Sequence, residues 1–398
     1  MPTFSYVART REGKTERGTM NVENRQALMR NLQSRGLRLD QVRERGRVGR
    51  GPRVKSAEVL VFTRQLSTIV NAGMPLLSGL DILAEQTDDP RFANVLQEIA
   101  SDVEGGDSFS EALRKHPRIF TDLFVSMVRA GEASGNLDGV LLQLADYMES
   151  MEELKRRIRS AMTYPVVAFS MILLIAAGLI IWVVPQFAEI FSSFGQQLPA
   201  PTRMLIVISE ILRSWRAGVV VAGFIGFIIV LRVYNQTENG RLNIDRAKLR
   251  LPVFGKMLRK VAISRFARTL STLTRSGVAI LGALEIVERT AGNEVFARVI
   301  RGAGDSVRNG EALAEPLARS SEFPAMVTRM IGVGEKTGAL EQMLSKISDF
   351  YDSEVKASID ALTSLIEPIL IMMMGIVVGS IVVALFMPIL QLSSLVQQ

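Results

Sequence analysis

Few residues in this chain have the type and spacing to do chemistry. The single histidine, His116, stands in Lys115-His116-Pro117, where an imidazole could move a proton or hold a metal near neutral pH. No second base lies near it, its counterpart in the repeat described below is a serine, and a plain loop residue is the competing reading. Asp88-Asp89 and Asp102, Glu104 and Asp107 gather carboxylates that could attract a cation. They fall in turns without the spacing of a calcium loop, so solvated acidic turns explain them as well. The absence of cysteine removes disulfides, thiol catalysis and zinc–thiolate sites. No glycine-rich loop ends in Gly-Lys-Ser/Thr, so ATP hydrolysis through a Walker site is not expected. No catalytic, cofactor-binding or metal-binding set emerges, and an enzyme is not expected.

Two charged positions draw notice because they occur twice. Gly131-Glu132-Ala133-Ser134-Gly135 is echoed by Gly334-Glu335-Lys336-Thr337-Gly338. A glycine can close one helix in the left-handed conformation while Ser134 or Thr337 opens the next, which leaves Glu132 and Glu335 unexplained. They could pair with Arg64 and Arg268, locking the first helix of each copy against this turn, or they could meet a partner. Both arginines sit in a longer echo: Phe62-Thr63-Arg64-Gln65-Leu66-Ser67-Thr68 recurs as Phe266-Ala267-Arg268-Thr269-Leu270-Ser271-Thr272. Phe92/Phe296, Gly106/Gly310, Phe120/Phe323 and Pro165/Pro368 continue the likeness in the same order, so one unit has been duplicated.

The elements that must position these residues are helices. From Ser56 onward apolar residues fall at helical spacing, punctuated by Gly73-Met74-Pro75, Asp88-Asp89-Pro90 and Glu104-Gly105-Gly106-Asp107. About six helices per copy, the last of the first copy running from Leu137 through Arg159, bury their apolar stripes best as an antiparallel bundle. Ahead of them, Phe4–Ala8, a turn at Arg11–Lys14 and Glu16–Met20 predict a hairpin, and a helix follows from about Glu23 to Arg35. Arg43–Arg53, dense in glycine and charge, reads as a tether or as a basic arm for lipid or an acidic partner. The first residues lack an apolar stretch, so a cleavable signal peptide is not expected.

The 398 residues are 48% hydrophobic and 22% charged, too apolar for an average soluble protein and too charged for an all-membrane one. Pro165–Val184 carries no charge over a length of about 30 Å, enough to cross a bilayer, and Pro368–Leu390 is equally clean. Ala217–Leu231 is shorter, with Arg216, Arg232, Trp215 and Tyr234 at its ends. Homologous domains on one side of a membrane need an even number of crossings between them, which makes this third segment a span. Lys155, Arg156, Arg157 and Arg159 before the first span, and Arg232, Arg241, Arg246, Lys248 and Arg250 after the second, place both domains in the cytoplasm by the positive-inside rule. The net charge of +7 is accounted for by these flanks, so nucleic acid is not an expected partner.

The expected organisation is therefore an N-terminal domain (1–42), a basic linker (43–55), a helical domain (56–164), a span (165–184), a periplasmic loop (185–216), a span (217–233), a second helical domain (234–366), a span (367–390) and a periplasmic tail (391–398). Within the membrane, Gly375 and Gly379 have the small-residue spacing that admits another helix. Pro165 and Pro368 are read as first-turn prolines of their spans, and Glu367 as either a helix cap at the headgroups or a proton carrier.

Taken in order, the Phe-x-Tyr-x-Ala start, the two Gly-Glu-x-Ser/Thr-Gly turns, Tyr164-Pro165, Val184-Pro185-Gln186-Phe187 and Glu367-Pro368 resemble the GspF/PilC family of inner-membrane assembly-platform proteins. Phe191–Gly195, Leu198–Thr202 and Lys115–Pro117 look more like its pilus branch. The resemblance implies a non-enzymatic protein without cofactors that couples a hexameric cytoplasmic ATPase to pilin or pseudopilin subunits. It also implies other inner-membrane platform proteins as partners, and self-association as a dimer or higher oligomer. A small transporter built from parallel repeats is the rival reading; it requires polar or broken helices at mid-membrane, which these spans lack.

Overall fold

The computed structural model describes residues 3–9, 15–21, 29, 38–45, 54–193, 199–252 and 254–396. Strands β1 (Thr3–Arg9) and β2 (Thr15–Asn21) form the expected hairpin, with Phe4 opposite Met20 and Ala8 opposite Glu16. A third strand, β3 (Arg38–Arg45), pairs antiparallel with the other edge of β1, so the order is β2-β1-β3. Its sequence, Arg-Leu-Asp-Gln-Val-Arg-Glu-Arg, is too charged to read as a strand, but a ladder is made by backbone groups that any side chain leaves available. The expected helix at Glu23–Arg35, apart from Met29, lies outside the described residues, as do the turn Arg11–Lys14 and the arm from residue 46 to 53.

Helices follow in the order α1 (Ser56–Asn71), α2 (Leu76–Gln86), α3 (Pro90–Glu104), α4 (Phe109–Arg114), α5 (Asp122–Ser134) and α6 (Leu137–Gly178). The second repeat has the same six: α11 (Phe254–Arg275), α12 (Ile280–Thr290), α13 (Glu294–Arg308), α14 (Ala314–Ala318), α15 (Ala325–Thr337) and α16 (Leu340–Val396). Between them run α7 (Val184–Ser193), α8 (Ala200–Arg213), α9 (Trp215–Tyr234) and α10 (Glu238–Arg250). The starts are capped as their sequences dictate: Asp89 accepts from the Arg91 N–H before α3, Ser108 from Glu111 before α4 and Asn293 from Val295 before α13. Left-handed glycines recur in pairs, Gly73 with Gly277, Gly106 with Gly310 and Gly135 with Gly338 (φ +71° and +70°), so the duplication extends to the backbone.

Contacts divide the chain into two compact units, 1–59 with 80–121, and 60–79 with 122–398. In the first, Phe92, Leu96, Ile99, Phe109 and Phe120 are buried, the rings of Phe92 and Phe120 lying 6.5 Å apart. In the second, Phe323 meets Phe266 and Phe296 edge-on at 5.0 and 5.5 Å. There α11 lies antiparallel to α16, zipped by Lys260 to Glu354, Arg268 to Asp352 and Arg275 to Glu341.

Three expectations need correction. First, neither proline stands in the first turn of a helix: α6 runs unbroken from Leu137 through Pro165 to Gly178 and on through one wide π turn, Leu179–Val183, while α16 runs from Leu340 through Pro368 to Val396. Proline removes one rung of the ladder, but helix on both sides keeps the remaining backbone groups paired, and the apolar segment that follows each proline favours keeping them so. Glu367 therefore lies inside a helix and cannot cap one, and the tail from 391 is helical as far as Val396. Second, much of the expected loop 185–216 is helix, as α7 and α8. Third, Ser134 and Thr337 do not open the helices that follow. Gly135 and Gly338 are the left-handed residues; Gly131 and Gly334 are buried inside α5 and α15, and Ser134 and Thr337 end those helices, donating back to Ala130 and Val333 carbonyls.

Candidate functional site

In α1, Arg64 points to the long helix that follows in its own repeat. Its guanidinium lies 2.8 Å from Asp146 Oδ1 and 2.5 Å from Glu149 Oε2, both on α6. Those two acceptors, Asp146 first, raise its pKa. Arg268 of α11 repeats the arrangement, bonding Asp352 and lying 3.8 Å from Asp349 on α16. Both arginines are thus tied to acids on the long helix of their own repeat, Asp146 and Glu149 or Asp349 and Asp352, and not to the Gly-Glu turn. Arg64 is 38% exposed, so its pairs contribute about 0–1 kcal/mol; Arg268 is 21% exposed and better shielded.

Glu335 has a different task. Oε1 accepts from the Leu313 N–H at 2.5 Å and Oε2 from the Ala314 N–H at 2.9 Å, so the carboxylate closes the N-terminus of α14. The reading of Glu335 as an arginine partner is overturned by these bonds. The turn is tight because α15 and α16 touch at Gly334: a Cβ there would sit 2.8 Å from Leu340 Cα and 3.0 Å from Met343 Cγ. At Gly131 the equivalent approach is to Val140, at 3.1 Å.

The two repeats meet along α6, which runs antiparallel to α11. Ser276 Oγ donates to Gln143 Oε1 at 3.0 Å, Tyr147 OH lies 3.2 Å from Thr269 Oγ1, and Arg268 Nη1 donates to Ser150 Oγ at 3.4 Å. A polar space of about 100 Å³ lies beside this seam, bounded by Tyr147, Arg268, Thr272, Ser348 and Asp349. Small-molecule sites take about 300–1,000 Å³, so this space is too small for a substrate pocket. Farther along, Leu154, Ile158 and Met162 of α6 pack with Val355, Ile359 and Leu362 of α16, which places the two long helices side by side and parallel.

That pairing continues into the apolar segments. Ala176, Val184, Ile381 and Leu385 form a core with Leu205 and Ile206 of α8, and Thr202 donates to the Ala384 carbonyl at 2.5 Å. Among the described residues, three helices are long and apolar enough to cross a membrane, those containing 165–184, 215–234 and 367–387. A Cβ on Gly375 or Gly379 would meet nothing within 4 Å, so no described helix of this chain uses their small surface. Pro165 is buried, whereas Glu367 and Pro368 are exposed. His116 is mostly buried, its Nε2 lying 3.9 Å from Glu98. No group of three metal-ligating side chains occurs among the described residues.

Sequence reasoning missed Asp146, Glu149, Asp349 and Asp352, although Asp146/Asp349 and Glu149/Asp352 recur at the repeat spacing and could have been found by it. The seam residues Tyr147 and Thr269 carried no such signal, because their counterparts, Phe350 and Gln65, are of different types.

Comparison with known proteins agrees with this geometry. The family described as type II secretion system (T2SS), protein F, matches twice, over residues 62–185 and 266–388, each match holding one set of helices together with the span that follows it. The N-terminal domain of type II secretion system protein F matches residues 1–43. The chain is 42% identical to the type IV pilus assembly protein PilC of Thermus thermophilus, over 98% of both chains. It is 41% identical to the PilC of Myxococcus xanthus, over 99% of this chain and 96% of that one. It is 34% identical to the type II secretion system protein F of Vibrio cholerae over the full length of each. Duplicated helical domains, each running into a membrane span, and full-length similarity of this order establish that the chain belongs to the type II secretion system protein F family.

Proposed function

We propose that this chain is the inner-membrane assembly platform of a type IV pilus or type II secretion machine. Its role is mechanical: it couples a hexameric cytoplasmic ATPase to the insertion or extraction of pilin or pseudopilin helices. Identities of 42% and 41% to two pilus assembly proteins, against 34% to the secretion protein F of Vibrio cholerae, favour the pilus machine. The observation that carries the mechanism is helix continuity. α6 and α16 leave the helical domains and become spans without a break, packed parallel at matching levels. A tilt imposed on either domain is then delivered to the membrane through a stiff helix and not absorbed by a hinge. Both helical domains lie in the cytoplasm in this reading, with basic clusters at the inner leaflet, the N-terminus inside and the C-terminus in the periplasm.

Two measurements test it. The chain has no cysteine, so Ser134→Cys and Arg213→Cys can be labelled singly in intact cells with an impermeant maleimide. Labelling at 213 and protection at 134 are expected; reaction from outside at 134 overturns the topology. Inserting two glycines between Ser160 and Ala161 should abolish pilus assembly while the protein stays folded and membrane-bound. Normal assembly in that variant would refute transmission through α6.

A further inference from the structure

Each repeat offers two helix faces, one on its first helix and one on its long last helix, and among the described residues only one of the two possible pairings is made within the chain. The α6 face, Gln143, Tyr147 and Ser150, is laid against the α11 face, where Thr269 is fully buried and Ser276 is 8% exposed. The spacing that aligns Phe120 with Phe323 carries Tyr147 onto Phe350 and Gln143 onto Lys346 of α16. The spacing that aligns Phe62 with Phe266 carries Thr269 back onto Gln65, and Arg265 onto Val61, of α1. These counterparts are open: Phe350 is 46% exposed, Val61 54%, and Gln65 and Lys346 are exposed as well.

The pairing is therefore heterologous. Face A of the first repeat meets face B of the second, while face B of the first and face A of the second remain uncovered, as in a head-to-tail chain with free ends. A two-fold relation would have covered both. α6 and α16 also run parallel and touch at equivalent levels, Leu154 and Ile158 with Val355 and Ile359, then Ala176 and Val184 with Ile381 and Leu385. The operation relating the repeats is thus a rotation about an axis along these helices. Applied again, it leaves every further copy's spans in the same bilayer.

We propose that a second copy of this chain docks the α16 face centred on Phe350 onto the α1 face centred on Val61 and Gln65, reproducing between molecules the contact that Tyr147 makes with Thr269 within one. Continuity with that internal interface names the occupant. The exchange of types suits it: Phe350 has lost the hydroxyl of Tyr147, and across from it Val61 replaces charged Arg265 by an apolar side chain, so the new contact buries a ring against a hydrocarbon. The inference rests on the repeat geometry and is independent of the platform role.

Gln65→Cys and Phe350→Cys, both at exposed positions, supply the test. Two differently tagged single variants are co-expressed in membranes and treated with a short bis-maleimide. A bridge between the tags is expected, with neither variant bridging to itself. Self-bridging of Phe350→Cys would indicate a two-fold contact, and no bridge in the mixture would indicate no such contact; either overturns the proposal. As an independent reading, the full chain in detergent should have at least dimer mass by light scattering and fall to monomer mass on Phe350→Glu. A monomeric wild type, or an unchanged assembly in the variant, counts against it equally.

Discussion

Replacing Gly334 by alanine should destabilise the protein, and the sign of the effect is what makes the test sharp. In the middle of a helix alanine is favoured over glycine by about 1 kcal/mol, because glycine loses more backbone entropy on folding. Gly334 lies within α15, so propensity alone predicts a more stable variant. The added Cβ, however, falls 2.8 Å from Leu340 Cα, a backbone atom at the start of α16, and 3.0 Å from Met343 Cγ. A backbone contact that short can be relieved only by moving one helix, and overpacking of this kind costs about 1–3 kcal/mol. Towards the upper end of that range the net loss is about 1–2 kcal/mol. Gly131→Ala, whose closest approach is to a side chain at 3.1 Å, should lose less. Gly302, exposed within α13 with nothing within 4 Å of an added Cβ, is the control, and Gly302→Ala should gain up to about 1 kcal/mol. Denaturant unfolding of the full chain in micelles, followed by helical circular dichroism, orders the three. A Gly334→Ala variant as stable as wild type would refute the close approach of α15 and α16.

Three further outcomes are expected. A double-mutant cycle on Arg268 and Asp352 should give a coupling of about 1 kcal/mol, larger than one on the more exposed Arg64 and Glu149; equal values would remove the distinction drawn from their burial. Thr202→Val, which deletes the donor to the Ala384 carbonyl, should cost about 1–3 kcal/mol and make α8 accessible to protease while leaving α12 protected; no change in cleavage at α8 counts against the anchor. Asp89 is held below the ordinary carboxylate range, first by the Arg91 side chain and then by the Arg91 backbone N–H. A depressed carboxylate stabilises above its unfolded pKa and ceases to as the pH falls through the folded one. Amide protection in α3 should therefore weaken as the pH drops below about 4, and Asp89→Ala should remove that part of the dependence.

What could be read in the sequence was whatever the duplication wrote twice. Gly73 and Gly277 share a left-handed turn, Phe92 and Phe296 share a buried site, and Arg64 and Arg268 each clamp a long helix, because a copied unit keeps the contacts that fold it. Partners were less legible than positions. Glu132 and Glu335 lie close enough in the pattern to suggest the arginines, but a short helix nearby, α14, presents unpaired N–H groups that outbid them for Glu335. β3 was hidden by its charges, and α7 and α8 by the habit of assigning a segment between two spans to loop. α8 is held by tertiary packing against α6 and α16 that no local pattern announces.

The misreading at Tyr164-Pro165 carries the largest consequence for function. A helix that ended at Arg159 and restarted at Pro165 would form a joint just where a domain meets its span, and forces arriving from that domain would bend it. As one helix of 42 residues, α6 is about 60 Å long and reaches from the seam with α11 into the apolar core around Ala176. The same holds for α16, whose acids grip Arg268 near one end and whose Ile381 and Leu385 pack with α8 farther along. Because the two helices are parallel and in contact at both levels, neither can tilt without carrying the other. The bonded seam of Gln143, Tyr147 and Ser150 and the apolar contacts below it join α6 to α11 and α16, so a displacement of α6 or α16 carries the apolar ends of both helices together.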